Sequence, residues 1–375
     1  MKRNQYINGT IETRAGNIPV VTGQWKPIDK LGNVKVRLGI NRDKYQVLPG
    51  LYAIGKPTEK SDVFVSANYK LSFDHLRRSI YDLNAWILVL DTKGVNVWCA
   101  AGKGTFATKE LVNRIHITRL DEVVTHRRLI VPQLGAVGIS AHEVTRLTKQ
   151  TENRNIPEVM FRPVTGNTSF SSADIKPDQG FRVIYGPVRA RDIKAFIQNK
   201  YVASPEMRRV TFLFSERALL IPVDLLYGKY LFLVTAAILM ILSGVSNEGL
   251  SLSTMVHKIP GVFANVLFAY LAGIVLMPLA LPFIPGRSFA LKGGFTGALV
   301  YALAFAAGNT GSNAYEGFSW FLIMVAISSF LAMNFTGSST YTSLSGVKKE
   351  MKVAVPLQIA FSFIGLVLFI VSKMI

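Results

Sequence analysis

Five long apolar runs fill the C-terminal part of this 375-residue chain, and they limit its fold more than any other feature. They lie at Tyr230–Val245, Val262–Ile284, Phe289–Gly308, Phe318–Phe335 and Val353–Ser372. A helix rises about 1.5 Å per residue, so each run approaches the length needed to cross roughly 30 Å of hydrocarbon, the first being the shortest. Up to about Lys229 the sequence is instead mixed, charged and rich in turn residues. The expected division is a soluble domain over 1–204, a juxtamembrane linker over 205–229 and a domain of five transmembrane helices over 230–375.

Positive loop residues set the expected topology. With the N-terminus inside, Arg287 and Lys292 in the second loop and Lys348, Lys349 and Lys352 in the fourth are cytoplasmic, while the outer side keeps Lys258 and Lys373. That asymmetry gives a multi-pass protein of the cell inner membrane with its C-terminus outside. No apolar stretch follows the charges of Met1-Lys2-Arg3-Asn4-Gln5, so the soluble half is expected in the cytoplasm. The net charge of +19 then suits anionic lipid headgroups, and no basic run with interleaved aromatics argues for nucleic acid.

Within the runs, Pro278 and Pro282 predict a kink, and Gly293, Gly294 and Gly297 a small-residue face for helix contact. Charged residues are missing from the middle of every run, where an ion pathway would need them. An anchor and docking surface is therefore preferred to a transporter. The loop Asn334–Ser343, rich in hydroxyls, is either a contact for the soluble domain or a solvated connector. Pro205–Tyr227, with Arg208, Arg209 and Arg217 among apolar residues, reads equally as an interfacial amphipathic stretch or as a last strand and helix of the soluble domain.

In the soluble half, the Gly- and Pro-dense first 60 residues predict short strands joined by turns. A strand–loop–helix order follows. Trp86–Leu90 is a continuous apolar run, as in a buried parallel strand. Arg128–Pro132 leads through Gln133-Leu134-Gly135-Ala136 into a helix around Ala141–Lys149. Glu158–Phe161 and Phe181–Tyr185 are further strands, the latter followed by Gly186 and a helix at Asp192–Gln198. Strands alternating with helices predict a doubly wound α/β sheet, whose ligands sit beyond the carboxyl ends of the strands.

Directly after the Trp86–Leu90 strand comes Asn96-Val97-Trp98-Cys99-Ala100-Ala101-Gly102-Lys103. Asn96 is a good N-cap, and Val97–Ala101 predicts a short helix closed by Gly102. The chain's one cysteine then lies in the first turn, where amide N–H groups stabilise negative charge on sulfur. Ala100, Ala101 and Gly102 remove bulk around it, so a broad flat ligand can approach, and Lys103 offers a cation to that ligand. A single cysteine excludes an internal disulfide and a cysteine-ligated cluster. A lone cysteine is commonly a small buried hydrophobe, so spacing alone leaves packing and metal ligation both open.

The string Asn96–Lys103 resembles the cap-helix signature of the mercury-methylating corrinoid proteins, with no departure across it. The five-span tail, including Asn334-Phe335-Thr336-Gly337, is similar to that family too. Pro49–Ala53, Ala67–Asp74 and Gln133–Ala136 also resemble the large subunit of the corrinoid iron–sulfur protein of acetyl-CoA synthesis, where a threonine stands in place of Cys99.

The resemblance implies a Rossmann-like domain binding a cobalamin-type corrinoid with its lower base off. Cys99 would be the lower axial ligand of cobalt, within a cap of Asn96, Val97, Trp98, Ala100, Ala101, Gly102 and Lys103. Asn68, Gln133, Gly135 and Gly186 are expected to line the cofactor. It also implies methyl transfer to mercury(II), with a ferredoxin-type iron–sulfur protein supplying electrons and a methyltetrahydrofolate-linked donor supplying the methyl group. Two rivals remain at this stage: a corrinoid methyl carrier for another acceptor, and a membrane transporter or anchor without cofactor.

Overall fold

The computed structural model describes residues 6–152, 180–247, 249–311, 313–338 and 344–375. The chain forms two compact units, one from Met1–Val36 and Asn41–Val210, the other from Arg37–Ile40 and Thr211–Ile375.

In the first unit the described strands are β1 (Ile7–Thr13), β2 (Gly16–Val21), β3 (Gly50–Ile54), β4 (Val63–Ala67), β5 (Ala85–Leu90), β6 (Arg128–Val131) and β7 (Arg182–Tyr185). They make one sheet in the order β1-β2-β3-β5-β4-β6-β7. The portion β5-β4-β6-β7 is parallel throughout. The other portion is not: β1 and β2 form an antiparallel hairpin, and β3 runs antiparallel to β5. The sheet is therefore mixed, and the doubly wound pattern expected from sequence holds only for its parallel half.

Side-chain alternation explains why β5 is central. Trp86, Leu88 and Leu90 join Val63, Val65 and Ala67 of β4 in one core, while Ile87 and Val89 join Phe64 in a second. Both faces of these strands are buried, so they read as continuous apolar runs. Helices α1 (Pro27–Arg37), α2 (Lys70–Ser79), α3 (Val97–Lys103), α4 (Thr108–Ile117), α5 (Leu120–Val123), α6 (Ala141–Glu152) and α7 (Ile193–Gln198) complete the unit. Phe73 and Leu76 of α2 and Phe196 of α7 pack in the second core; Ala100 of α3, Leu111 of α4 and Val144 of α6 pack in the first. The chain leaves β4 through α2 on one face to β5, then returns through α3–α5 on the other face to β6, beyond β4. The winding reverses at β4, which opens a crevice at the carboxyl ends of β4 and β6.

Two local expectations change. The first 60 residues hold the helix α1 besides strands: Asp29 Oδ2 accepts the Lys26 N–H at 3.1 Å, and Pro27 supplies a helical φ, which together start a helix inside a turn-rich sequence. The expected strand Glu158–Phe161 lies outside the described residues.

The second unit contains α8 (Phe214–Ala218), α9 (Ile221–Ser243), α10 (Leu252–Leu271), α11 (Met277–Ala280), α12 (Phe289–Ala306), α13 (Ala314–Ser338) and α14 (Leu344–Val371). Five of its helical stretches are long and apolar enough to cross a membrane: Phe214–Ser243, Leu252–Ala280, Phe289–Ala306, Ala314–Phe335 and Gly346–Val371. Four start earlier than the apolar runs, because polar first turns belong to a helix without adding to hydropathy. Pro205–Tyr227 accordingly ends in α8 and the start of α9, not in a strand. The segment Asn334–Gly337 is the end of α13, not loop; residues 339–343 lie outside the described residues.

A π-helical turn at Ala272–Leu276 precedes Pro278, whose missing N–H breaks the regular ladder there. Gly297 lies so close to α13 that an added Cβ would sit 2.9 Å from Ser328 Cβ and 3.0 Å from Val325 Cα. Ser328 Oγ donates to the Gly293 carbonyl at 2.8 Å across the same contact. Two cations are buried near the end of α11. Lys292 Nζ donates to the Leu281 and Ile284 carbonyls, and the Arg217 guanidinium to those of Phe212 and Leu279. The Leu279, Leu281 and Ile284 carbonyls are acceptors that the end of this helix leaves without an intrahelical partner, and Phe212 lies just before α8.

Candidate functional site

Beyond the carboxyl end of β5 the chain turns sharply through Asp91-Thr92-Lys93-Gly94, with φ of 57° at Lys93 and 73° at Gly94. Asn68, just past β4 and 2% exposed, fixes this turn. Its Oδ1 accepts from the Thr92 N–H at 3.1 Å and the Gly94 N–H at 2.9 Å. The Thr92 hydroxyl shares its hydrogen between Asn68 Oδ1 at 2.8 Å and the Val95 carbonyl at 2.7 Å. From the other side Glu110 Oε1 accepts the Asp91 N–H at 2.8 Å and is itself held by Arg114 at 2.7 Å. Burial alone would raise the Asp91 carboxyl pKa; the ammonium and N–H of Lys93 outweigh it and hold the group below the usual range.

Helix α3 grows out of this pinned turn. Asn96 Oδ1 accepts the Cys99 N–H at 2.9 Å, which makes Asn96 the N-cap and places Cys99 at the third helical position. The helix closes at Gly104, whose φ of 77° suits glycine, and not at Gly102 as the sequence suggested. Gly102 remains helical, so the helix is one turn-half longer than expected and carries Lys103 within it. Val97, Ala100 and Ala101 face the core. Trp98 and Cys99 are half-buried, and Gly102 and Lys103 are exposed, so helical spacing sets Cys99 between Gly102 and Lys103 on the outward face.

The turn after β6 packs directly on α3. Gly135 is buried against Phe106, and Gly138 lies against Ala101 Cα, 3.1 Å from where a Cβ would stand. Gln133 is half-buried, and its N–H reaches the Pro187 carbonyl at 3.5 Å. The structure thus brings Asn68, the Asn96–Lys103 helix, Gln133 and Gly135 to one edge of the sheet. Gly186 differs: it packs against Ile130 and Phe196 of the second core, on the opposite face from α3.

A corrinoid-bound metal would need one donor atom from the protein and little bulk beside it. The outward face of α3 offers one soft donor, Cys99, beside the bare Gly102. Soft sulfur suits a late transition metal; Ala100 and Ala101 face the core, so, unlike the expectation from sequence, only Gly102 removes bulk on the outward face. Among the described residues no cluster of three or more His, Cys, Asp or Glu side chains forms a separate metal site.

One polar cluster was not anticipated. Asp29, Lys70, Asp74 and Arg77 form a buried network between α1 and α2. Lys70 Nζ lies 2.7 Å from Asp29 and 2.6 Å from Asp74, and Arg77 lies 2.9 Å and 2.7 Å from the same two carboxylates. Arg77 Nη1 also donates to the Thr22 and Gln24 carbonyls. Burial would raise the Asp29 carboxyl pKa, but the Lys70 ammonium and its other donors keep it lowered. The only sequence signal was the Lys70/Asp74 spacing on α2.

Comparison with known proteins covers mainly this unit. Residues 27–158 match the family described as CO dehydrogenase/acetyl-CoA synthase delta subunit. The chain is 34% identical over 97 residues to the acetyl-CoA decarbonylase/synthase complex subunit gamma of Methanopyrus kandleri, covering 25% of this chain and 21% of that protein. The corresponding subunit of Archaeoglobus fulgidus is 33% identical over 97 residues, with the same coverage. That of Methanothermobacter thermautotrophicus is 27% identical over 141 residues, covering 36% of this chain and 30% of the relative. The chain thus spans about a fifth of the length of the first curated relatives it matches.

Proposed function

We propose that this chain is a membrane-anchored, corrinoid-dependent methyltransferase in which Cys99 is the lower axial ligand of cobalt and mercury(II) is the methyl acceptor. The carrying observation is the placement of Cys99 on the outward face of a short helix whose entry is locked by Asn68 and Glu110. When bound base-off, the corrinoid supplies a cobalt–carbon bond whose methyl group can pass to an acceptor. Cys99 would hold the cobalt through a soft sulfur donor, which would favour methyl transfer to an electrophile such as mercury(II). Asn96 orients the thiol by holding its amide, Trp98 and Lys103 flank it, and the turn Gln133–Gly135 buttresses the helix.

The parallel half of the sheet supports a Rossmann-like corrinoid domain, and the five apolar helices support a multi-pass membrane anchor; the positive loop residues favour an inner-membrane protein with its N-terminus inside and C-terminus outside. A ferredoxin-type iron–sulfur protein would restore electrons, since the chain's single cysteine cannot hold a cluster. A methyltetrahydrofolate-linked donor would remethylate cobalt. The similarity to decarbonylase/synthase gamma subunits favours one second reading, a corrinoid methyl carrier for a different acceptor.

The purified full chain should contain cobalt, show a corrinoid visible spectrum and form methylmercury. Cys99→Ala should alter that spectrum and lower methylmercury formation by more than about 100-fold, beyond the usual effect of losing an outer-shell partner. A variant as active as the wild type, with an unchanged spectrum, would remove the ligand role. A coloured protein inactive on mercury(II) would favour the second reading.

A further inference from the structure

Helix α14 touches the rest of its unit mainly along α13, which leaves a cleft on each side of it. The cleft shared with α9 and α13, about 590 Å³, is lined by apolar and neutral polar residues and by no lysine or arginine. The cleft shared with α12 and α13 is larger, about 930 Å³, and it is built differently. Leu291, Val325, Leu357 and Phe361 wall its interior, while Arg287 and Lys349 stand at one end. Both cations are exposed there. Glu350 beside them is already engaged: its Oε1 accepts from Ser288 Oγ at 2.9 Å and from the Ala290 N–H at 2.6 Å, capping α12. Its charge faces the amide end of that helix, and the two cations are left to the cleft mouth.

The dimensions point to the occupant. Along α14 the lining runs from Gly346 to Phe361. At about 1.5 Å per residue that is about 22 Å, close to half of a bilayer of roughly 40–45 Å including its headgroups. From these observations we infer that the α12–α13–α14 cleft binds one anionic phospholipid of a single leaflet, its phosphate between Arg287 and Lys349 and an acyl chain along Leu291, Val325, Leu357 and Phe361. The inference rests on reading the five apolar helices as membrane spans. The positive loop residues put this mouth on the cytoplasmic side, where anionic headgroups supply the matching charge. The neighbouring cleft, without cations, takes acyl chains with no choice of headgroup.

The test uses the full chain in nanodiscs of phosphatidylcholine with a minor fraction of phosphatidylglycerol, followed by native mass spectrometry of the lipid retained on release. The wild type retains phosphatidylglycerol over phosphatidylcholine by on the order of tenfold above the bulk ratio. Arg287→Gln with Lys349→Gln brings retention back to the bulk ratio. Lys348→Gln with Lys352→Gln removes as much charge from outside the cleft and leaves the preference in place. Gly294→Leu, placed where a Cβ would meet only Val325 Cγ1 at 3.8 Å, fills the cleft and reduces retention of any lipid. Equal loss from both double variants would show unspecific surface attraction and overturn the site, as would undiminished retention in the Arg287/Lys349 variant. A chain recovered from cells in the soluble fraction without detergent would overturn the membrane reading itself.

Discussion

Two polar clusters extend from the same short stretch, the junction of β4 and α2, and they are finished to different degrees. Lys70 and Asp74 belong to a network in which two carboxylates meet two cations, with Arg77 fully buried. Asn68, two residues before Lys70, instead holds the turn that delivers α3, and the first turn of α3 carries a half-buried thiol on its outer face. The first cluster consumes its hydrogen-bonding capacity internally, as a group that holds elements together does. The second uses a buried residue to position a helix whose outer face carries Cys99. A half-buried thiol on a helix whose entry is fixed by its neighbours is compatible with the ligand role proposed for it.

Removing one member of each cluster separates these roles. Arg77→Ala leaves two buried carboxylates with Lys70 alone, and the α/β unit should lose about 3–5 kcal/mol, the usual cost of breaking a buried ion network. Hydrogen exchange of the β5 amides in the detergent-purified full chain reads that loss directly. In the same assay Cys99→Ala should change protection by less than about 1 kcal/mol, as expected of a half-buried side chain with little to lose by truncation. If the two variants weaken β5 equally, Cys99 is a packing residue and the contrast fails.

Asn68→Ala should fall between them. It removes the acceptor for the Thr92 and Gly94 N–H groups, and orphaned buried donors cost about 1–3 kcal/mol. Loosening should concentrate in Asp91–Gly104 while β5 stays protected, and cobalt retained on purification should fall with it. Uniform loss of protection across the sheet would make Asn68 another core residue, without a part in aiming α3.

The sequence made some of this legible and concealed the rest for identifiable reasons. Trp86–Leu90 announced itself because a strand buried on both faces has no polar alternation to confuse it. Asn96 was readable as an N-cap because capping is local, settled within three residues. The closing residue was misjudged because Gly102 and Gly104 offer the same signal two positions apart, and only the backbone shows which adopts positive φ. Asn68 could be flagged by resemblance, but its work on Thr92 and Gly94 is a long-range pairing that no spacing rule exposes. Arg77 is hidden for a related reason: an arginine in the last turn of an exposed-looking helix gives no hint of Asp29, whose carboxylate arrives from another helix. The mixed half of the sheet was missed because strand direction follows from connections, not composition.

The smallest expected effect concerns the opposite edge of the sheet, where acid should act without touching the thiol. His126 Nδ1 accepts the Arg128 N–H at 3.2 Å, so Nε2 carries the proton and donates to the Ser61 carbonyl at 2.8 Å. Burial lowers the pKa of this ring, more than its bond to Ser61 raises it, and burial likewise lowers that of His116. The folded chain therefore resists protonation that the unfolded chain accepts near pH 6.5. Stability is at its full value above that pH, declines as pH falls below it, and levels off once the folded-state pKa is passed. Protection of β6 in the full chain should accordingly weaken between pH 7.5 and 5.5, and His126→Gln should flatten part of that slope while leaving the α3 amides at their wild-type protection. An identical slope in the variant would mean that His126 keeps its proton balance on folding. A slope that appears at α3 instead would couple the two edges of the sheet and erase the distinction between the cluster that holds the unit together and the one that presents Cys99.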